Sequence, residues 1–251
     1  TLMKDRKFGD AGNSIVIEEF LEGVEASILS FYDGKTILPL LSAKDHKKIG
    51  EGETGPNTGG MGVIAPNPYV DERVMSLFST EIMEPTIRGL EEEGLQFAGV
   101  IFFGLMINEK GVYLLEYNLR MGDPETQAVL SLLDSDLLEM VQSALGGSLE
   151  TCRPRWKEGS SCCVVMASGG YPEAYEKGKV IKGTADCRSS VYIAGAELKG
   201  ENLITSGGRV LNVVSTASDL QKARIKCYED MKSISFEKAV YRRDIGGDPV
   251  H

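Results

Sequence analysis

The chain has 251 residues, 42% of them hydrophobic and 25% charged, a composition that fits a folded globular protein of one large domain or two ordinary ones and excludes disordered and fibrous classes. A formal charge of -10 without any Lys/Arg-rich stripe argues against duplex nucleic acid and anionic membrane surfaces as partners, while a locally positive pocket for small anions stays open. No window approaches the roughly 18 apolar residues of a spanning helix, and the opening Thr1-Leu2-Met3-Lys4 lacks a signal-peptide layout, so a cytoplasmic protein is expected.

In chain order, the apolar run 15–21 predicts a strand, followed after an acidic hinge by a second strand over 26–32. The Asp33-Gly34 turn pairs that strand with 35–41, and the polar stretch 44–62, which holds six glycines, reads as a functional loop. Asp71 is placed to cap a helix whose apolar positions, Val74, Leu77, Phe78, Ile82, Ile87 and Leu90, keep helical spacing, with a kink at Pro85 and a stop at Gly94. Runs 98–107 and 112–117 predict a buried hairpin across Asn108-Glu109-Lys110-Gly111. Asp123-Pro124 then opens a Leu-rich helical segment, with Asp123 as cap, that continues to Gly146-Gly147 and closes a first domain over 1-150. A linker at 150–160 leads to a smaller α+β unit, 151-251, with strands at 162–167, 190–194, 203–205 and 209–216 and a helix from Asp219 to about Lys232 that keeps Leu220, Ala223, Cys227 and Met231 on one face.

Three segments carry chemistry. In Glu116-Tyr117-Asn118-Leu119-Arg120-Met121-Gly122-Asp123-Pro124-Glu125-Thr126-Gln127, strand alternation puts Glu116 and Asn118 on one face, two oxygen ligands suited to Mg²⁺. Arg120 can hold a carboxylate or acyl phosphate at two points, and Asp123 or Glu125 can orient that guanidinium or receive an amine. Any one of these residues alone reads more simply as a salt bridge or cap; five costly polar groups converging at a strand-to-helix junction do not. The second segment is Asp45-His46-Lys47-Lys48 with Gly55-Pro56-Asn57-Thr58-Gly59-Gly60-Met61-Gly62, whose spacing fits neither a Walker loop nor a dinucleotide fingerprint. His46 and Lys47 are within reach of phosphate oxygens on this reading, a solvated strand end being the equal alternative. The third, 16–25, is an extended hinge that can offer backbone groups to an adenine edge, with a carboxylate beyond it for ribose hydroxyls; an acidic strand end is the plainer reading. The five cysteines lack a Cys-x-x-Cys pair and the only histidines are His46 and His251, so reduced thiols near the core are expected rather than disulfides or structural zinc.

Together and in this order, these segments closely resemble the phosphoribosylamine-glycine ligase family of ATP-grasp enzymes. The resemblance covers essentially the whole chain and extends through Ala167-Ser168-Gly169-Gly170-Tyr171-Pro172, Gly207-Gly208-Arg209-Val210-Leu211 and Tyr241-Arg242-Arg243-Asp244-Ile245-Gly246. It implies an α+β ATP-grasp fold, incomplete here, with a smaller carboxyl-terminal α+β domain. It also implies ATP-dependent joining of glycine to 5-phosphoribosylamine through glycyl phosphate, with release of ADP and phosphate and no covalent enzyme intermediate. Carried over, Glu18, Glu19 and Leu21 would meet adenine, Glu25 ribose and Lys47 phosphate; Glu116 and Asn118 would ligate Mg²⁺ or Mn²⁺. Arg120, Asp123 and Glu125 would line the site of glycyl phosphate formation, and the loop of Asn57, Thr58, Gly59, Gly60, Met61 and Gly62 would border the ribonucleotide. The strand 102–107 offers no second metal-binding acid, a departure from many ATP-grasp enzymes. The family's amino-terminal domain and phosphate-binding lysines would lie upstream of Thr1, so this chain alone is expected to be inactive, and further purine-pathway domains can share its polypeptide. The competing readings are another ATP-grasp ligase and a non-catalytic nucleotide-binding module.

Overall fold

Asp33 closes the first hairpin: its carboxylate accepts from the backbone N–H groups of Lys35 and Thr36 at 3.0 and 2.7 Å, and Gly34 takes the positive φ of 96° that the turn requires. The flanking residues pair as β1 (Val24–Tyr32) and β2 (Ile37–Asp45) near the centre of an antiparallel sheet. This is seen in a computed structural model that describes Asp5 and residues 9–247. Two small hairpins lie outside the main sheet: β3 (Lys48–Gly50) with β4 (Thr54–Asn57), and β10 (Ala196–Lys199) with β11 (Asn202–Thr205). The main sheet adds β5 (Gly62–Ala65), β6 (Gly99–Asn108), β7 (Gly111–Asn118), β8 (Ser160–Ala167), β9 (Ser190–Ile193) and β12 (Arg209–Ala217). Its order is β7-β6-β1-β2-β5-β8-β12-β9, so the β5–β8 pairing carries one sheet from the first half of the chain into the second.

Alternation along these strands sorts the core into two faces. One face presents Leu29, Phe31, Ala43, Val63, Phe102, Cys163 and Val214, covered by α3 (Glu125–Leu130) and α4 (Leu137–Leu145) through Ala128, Val129, Met140 and Ala144. On the other, Ile28, Ile101, Phe103 and Leu105 lie under α1 (Glu72–Leu77), a π-helical turn at Phe78–Met83 and α2 (Glu84–Glu92). Beside them, Ile64, Cys162, Val164, Leu211 and Val213 lie under Ala223, Cys227 and Met231 of α5 (Leu220–Met231). Each fully buried Leu or Phe contributes about 1.5–3 kcal/mol. Asp71, Asp136 and Asp219 cap α1, α4 and α5, accepting from Val74, Leu138 and Lys222 N–H at 2.8, 2.7 and 2.8 Å.

Several expectations need correction. Residues 15–21 form no strand: β1 already has β2 and β6 on its two edges, and Val16, Ile17 and Phe20 are 85%, 87% and 86% exposed. The 44–62 stretch is less of a loop than its composition suggests, since β2 runs to Asp45 and β3–β4 occupy its middle. The β6–β7 hairpin is buried only in part, because β7 is the sheet edge and its second half is exposed. Asp123 does not cap α3; Pro124 occupies that position without a side-chain bond, and the Asp123 carboxylate turns to Gln127, Asn212 and Arg209. The Leu-rich segment is two helices, broken where Leu133 bridges to Trp156 and the N–H groups of Asp134 and Ser135 both donate to the Arg155 carbonyl. Strand β10 was not anticipated. All five cysteines are free, with Cys162, Cys163 and Cys227 buried as expected. No helix among the described residues is long and apolar enough to cross a membrane. The opening Thr1-Leu2-Met3-Lys4, and His251, lie outside the described residues.

Candidate active site

On the face covered by α3, the sheet turns polar beyond its apolar core. Ser27 on β1 pairs with Ala43 on β2, which places Asp45, two residues further, on the same face. The matching position on β7 depends on a β-bulge: Leu105 pairs with Leu114 and Gly104 with Glu116, so Leu115 is an extra residue. Val112 and Leu114 pack into the opposite core, and after the bulge Tyr117 rather than Glu116 continues that row, its ring 5.5 Å from Phe103. Glu116 and Asn118 are thereby turned to the polar face. Gly104 makes room for them, since a Cβ there would stand 3.0 Å from Glu116 Cγ.

These residues line a cleft of about 250 Å³. Asp45 ends β2 and Lys47 follows it, Thr58 and Gly59 come from the glycine-rich loop, Glu116 and Asn118 from the end of β7, Arg120 and Asp123 from the turn after it, and Glu125 from the start of α3. Asn118 Nδ2 donates to Glu116 Oε1 at 3.2 Å. Two adjacent oxygen-bearing side chains suit Mg²⁺, which completes its shell with waters and phosphate oxygens. Among the described residues no group of three or more His, Cys, Asp or Glu is arranged to hold a metal, so a cation on Glu116 and Asn118 would draw the rest of its shell from waters and substrate.

The charges are unevenly matched. Lys47 Nζ pairs with Glu25 Oε2 at 2.7 Å. Burial pulls the Lys47 pKa down, but the Glu25 bond and the charges of Glu25, Asp45 and Glu116 outweigh it and leave it raised. Asp45 is pushed well above the usual carboxylate range by burial and by the neighbouring Glu125 charge. Glu125 is raised too, by burial, against a bond from Ser27 Oγ at 3.4 Å and the charges of Lys47 and Arg120. His46 does not reach the cleft as a cation. It is buried, its Nδ1 donates to the Gly62 carbonyl at 3.1 Å, and burial lowers its pKa to about 4.

The loop is held from both sides. Thr58 donates through N and Oγ1 to the Lys47 carbonyl at 2.7 and 2.8 Å, and Met61 N donates to the His46 carbonyl at 2.8 Å. From the second half of the chain, Tyr171 Oη accepts from Gly59 N at 3.0 Å. Arg209 Nη1 donates to the carbonyls of Gly59 and Asp123 at 2.5 and 2.6 Å. Gly60 takes φ of 108°, and a Cβ there would stand 2.7 Å from Asp45 Oδ1 and 2.8 Å from Pro124 Cδ. Within the predicted run, Thr58 and Gly59 reach the cleft, Asn57 ends β4, Met61 is fully buried and Gly62 lies in β5.

Glu18, Glu19 and Leu21 lie in the exposed segment before β1. Glu19 and Leu21 line a separate groove of about 420 Å³ with Asn108 and Tyr113, where Asn108 Nδ2 donates to the Glu22 carbonyl at 3.1 Å.

A family model for phosphoribosylglycinamide synthetase, ATP-grasp (A) domain, matches residues 1–126, and one for the C domain of the same synthetase matches residues 161–248. The chain belongs to the phosphoribosylglycinamide synthetase family. A phosphoribosylamine-glycine ligase of Fusobacterium nucleatum is 51% identical over 250 residues, covering 98% of this chain and 59% of that protein. The trifunctional purine biosynthetic protein adenosine-3 of Bos taurus is 44% identical over 249 residues, covering 98% of this chain and 25% of its own length. The crystal structure of phosphoribosylamine-glycine ligase from Thermotoga maritima matches with a TM-score of 0.82 at 36% identity, over 91% of this chain and 57% of that one. The α+β ATP-grasp fold follows from these matches, and the chain spans just under three-fifths of the length of its monofunctional relatives.

Two residues that hold the cleft of this synthetase-family chain were quoted from sequence only within longer motifs and given no role of their own: Asp45 and Arg209. Asp45 ends an apolar strand where alternation would have put it beside Ala43. Arg209 entered only as part of the Gly207–Leu211 motif, with nothing local to point to the cleft, because its partners lie about 90 and 150 residues away.

Proposed function

We propose that the polypeptide carrying this chain is an ATP-dependent ligase that joins glycine to 5-phosphoribosylamine, giving glycinamide ribonucleotide, ADP and phosphate in purine biosynthesis. The carrying observation is the bulge that turns Glu116 and Asn118 toward the same cleft as Lys47, Arg120 and Glu125. On this reading Arg120 holds the glycine carboxylate while one carboxylate oxygen attacks the γ-phosphorus of ATP, forming glycyl phosphate as ADP departs. Mg²⁺ or Mn²⁺ held by Glu116 and Asn118 would neutralise charge on the phosphate oxygens. The amine of phosphoribosylamine then attacks the glycyl carbonyl carbon and phosphate leaves, with Asp123 and Glu125 placed to take up the proton released. Glu18, Glu19 and Leu21 meet adenine, Glu25 the ribose and Lys47 a phosphate, which requires the Lys47–Glu25 pair to open when ATP enters. Residues Asn57 to Gly62 border the ribonucleotide. The reading keeps the division into 1-150 and 151-251, which the separate family models support, and a cytoplasmic location. The bovine relative supports further purine-pathway domains on the same polypeptide.

The test is an ADP-release assay on the full-length native polypeptide with ATP, Mg²⁺, glycine and fresh phosphoribosylamine. Release that needs both co-substrates is expected. Release without glycine, or with another carboxylic acid in its place, overturns the reading.

A further inference from the structure

Three side chains converge on one carboxylate of the cleft, two of them from β12. Asp123 Oδ1 accepts from Gln127 Nε2 at 3.0 Å and from Asn212 Nδ2 at 3.4 Å, and its Oδ2 accepts from Arg209 Nη2 at 3.4 Å. The two β12 donors share a face because of a second bulge: Arg209 pairs with Ala167 and Leu211 with Met166, so Val210 is an extra residue. Residues three apart on a regular strand point to opposite faces, and the extra residue brings Arg209 round to the side of Asn212. Asn212 is 1% exposed, and holding the carboxylate leaves its own Oδ1 buried without a partner among the described residues; Gln127 Oε1 is in the same position. Turning either amide over would set its oxygen against Asp123 Oδ1, so both orientations follow from the carboxylate. Two buried acceptors left unpaired are costly, and an apolar side chain at position 212 would avoid one of them, so packing does not account for an amide there.

We infer that Asn212 is a positioning residue for the ligation step, fixing the Asp123 carboxylate from β12 so that Oδ2 faces the incoming amine. The inference rests on the ligase reading for the identity of that step. Asn212 and Gln127 together occupy Oδ1, and the Asp123 side chain is 46% exposed on the cleft, so Oδ2, met only by the long Arg209 bond, is the oxygen left for substrate. Gln127 is four residues along the chain and moves with α3, whereas the Asn212 bond comes from the central part of the sheet and ties the carboxylate to a second, independent element. Formation of glycyl phosphate calls on Arg120, Glu116 and Asn118 and not on Asp123. Asn212 therefore acts on the second step alone: the amine nitrogen bonds to the glycyl carbonyl carbon, the bond from that carbon to the phosphate oxygen breaks, and the amine proton passes to Asp123 Oδ2.

The experiment uses the full-length native polypeptide and its Asn212→Leu variant. Asp123 Oδ1 keeps the Gln127 bond in that variant, so its melting temperature stays within about 4 °C of the wild type. Ligation is followed as ADP release with ATP, Mg²⁺, glycine and phosphoribosylamine. The first step is followed separately as glycine hydroxamate, formed when hydroxylamine, which attacks acyl phosphates without a base, replaces phosphoribosylamine. The kcat for ligation is expected to fall about 10- to 100-fold, the loss of one hydrogen bond to a charged group. Hydroxamate formation and the KM values for ATP and glycine stay within about two-fold, the scatter of context-dependent effects. If Asn212→Leu does not fold, Gln127→Met, which removes the other donor to Oδ1, carries the same expectation. Unchanged ligation in the variant overturns the inference and leaves the ligase reading standing. So does a parallel loss of ligation and hydroxamate, which marks a structural role. A wild type that releases no ADP in response to glycine and phosphoribosylamine overturns the ligase reading, and the inference with it.

Discussion

Acid should loosen the floor of the glycine-rich loop through His46. Burial lowers its pKa from 6.5 to about 4, and its ring donates to the Gly62 carbonyl at 3.1 Å. The same residue also exchanges backbone bonds across the loop base: His46 N donates to the Gly62 carbonyl at 2.9 Å and Met61 N to the His46 carbonyl at 2.8 Å. Because the folded-state pKa is depressed, the unfolded chain takes a proton below pH 6.5 while the folded chain resists until about pH 4. The stability contribution of neutral His46 is fully present above the unfolded value and lost as pH falls through that window. At 1.36 kcal/mol per unit, the loss amounts to about 3 kcal/mol. The measurement is denaturant-induced unfolding from pH 7.5 to 4, wild type against His46→Gln. Wild type should lose about 3 kcal/mol more than the variant over that range. With only two histidines in the sequence, ring NMR resonances identify the titrating group directly. A His46 resonance that titrates near its ordinary value, or a stability gap independent of pH, would refute the reasoning.

Other outcomes follow from the same contacts. Asp45 has the opposite sign: its pKa is raised by burial and by Glu125, so its ionisation destabilises the folded state as pH rises above the ordinary value. Asp45→Asn should melt higher than wild type at pH 8, with the gain vanishing toward pH 4; a variant that melts lower at pH 8 contradicts this. Replacing Arg209 by Ala frees the carbonyls of Gly59 and Asp123 and should cost about 1.5–3 kcal/mol. Amide exchange at Gly59 and Gly60 should also quicken, and unchanged protection there would show that the loop does not depend on the guanidinium. Arg242 is 2% exposed and bonds Asp244 twice, at 2.8 and 2.7 Å, Glu53 at 2.7 Å and the Lys48 carbonyl at 3.1 Å. Arg242→Ala should cost about 3 kcal/mol in thermal or denaturant unfolding, since it strips the half-buried Asp244 of its guanidinium partner and leaves it only the bond from Gly52 N at 2.9 Å. A loss under about 0.5 kcal/mol, typical of surface positions, would mean that the β3–β4 hairpin is held some other way.

The sequence was most readable where one local rule decided the outcome. Asp71 and Asp219 announce their helices because a cap needs only the N–H groups three residues on. The Asp33-Gly34 hairpin is equally local, as is the 3.6-residue spacing that puts Ala223, Cys227 and Met231 into the core. Long-range determinants were not readable. Simple alternation from Val112 would have continued the core row through Glu116, and only the extra residue at Leu115 turns Glu116 and Asn118 to the cleft. Asp123 looked like a helix cap because the Asp-Pro pair is local, whereas its partners Asn212 and Arg209 arrive from almost 90 residues away. The apolar 15–21 run satisfied every local criterion for a strand, yet pairing depends on a free neighbouring edge and β1 offers none. The polar groups between β7 and α3 stood out through their dense clustering at one junction, while Asp45, quoted only as part of its segment, gave no local sign of its neighbour Glu125, 80 residues away.

The central claim is that a carboxylate is phosphorylated in the cleft beside Glu116 and Asn118 before an amine displaces the phosphate. The most direct test is oxygen transfer: full-length native polypeptide, ATP, Mg²⁺, phosphoribosylamine and glycine with both carboxylate oxygens as ¹⁸O, with the released phosphate analysed by mass spectrometry. The account predicts one ¹⁸O in each phosphate, with the other retained in the amide product. Unlabelled phosphate accompanying amide formation would contradict it.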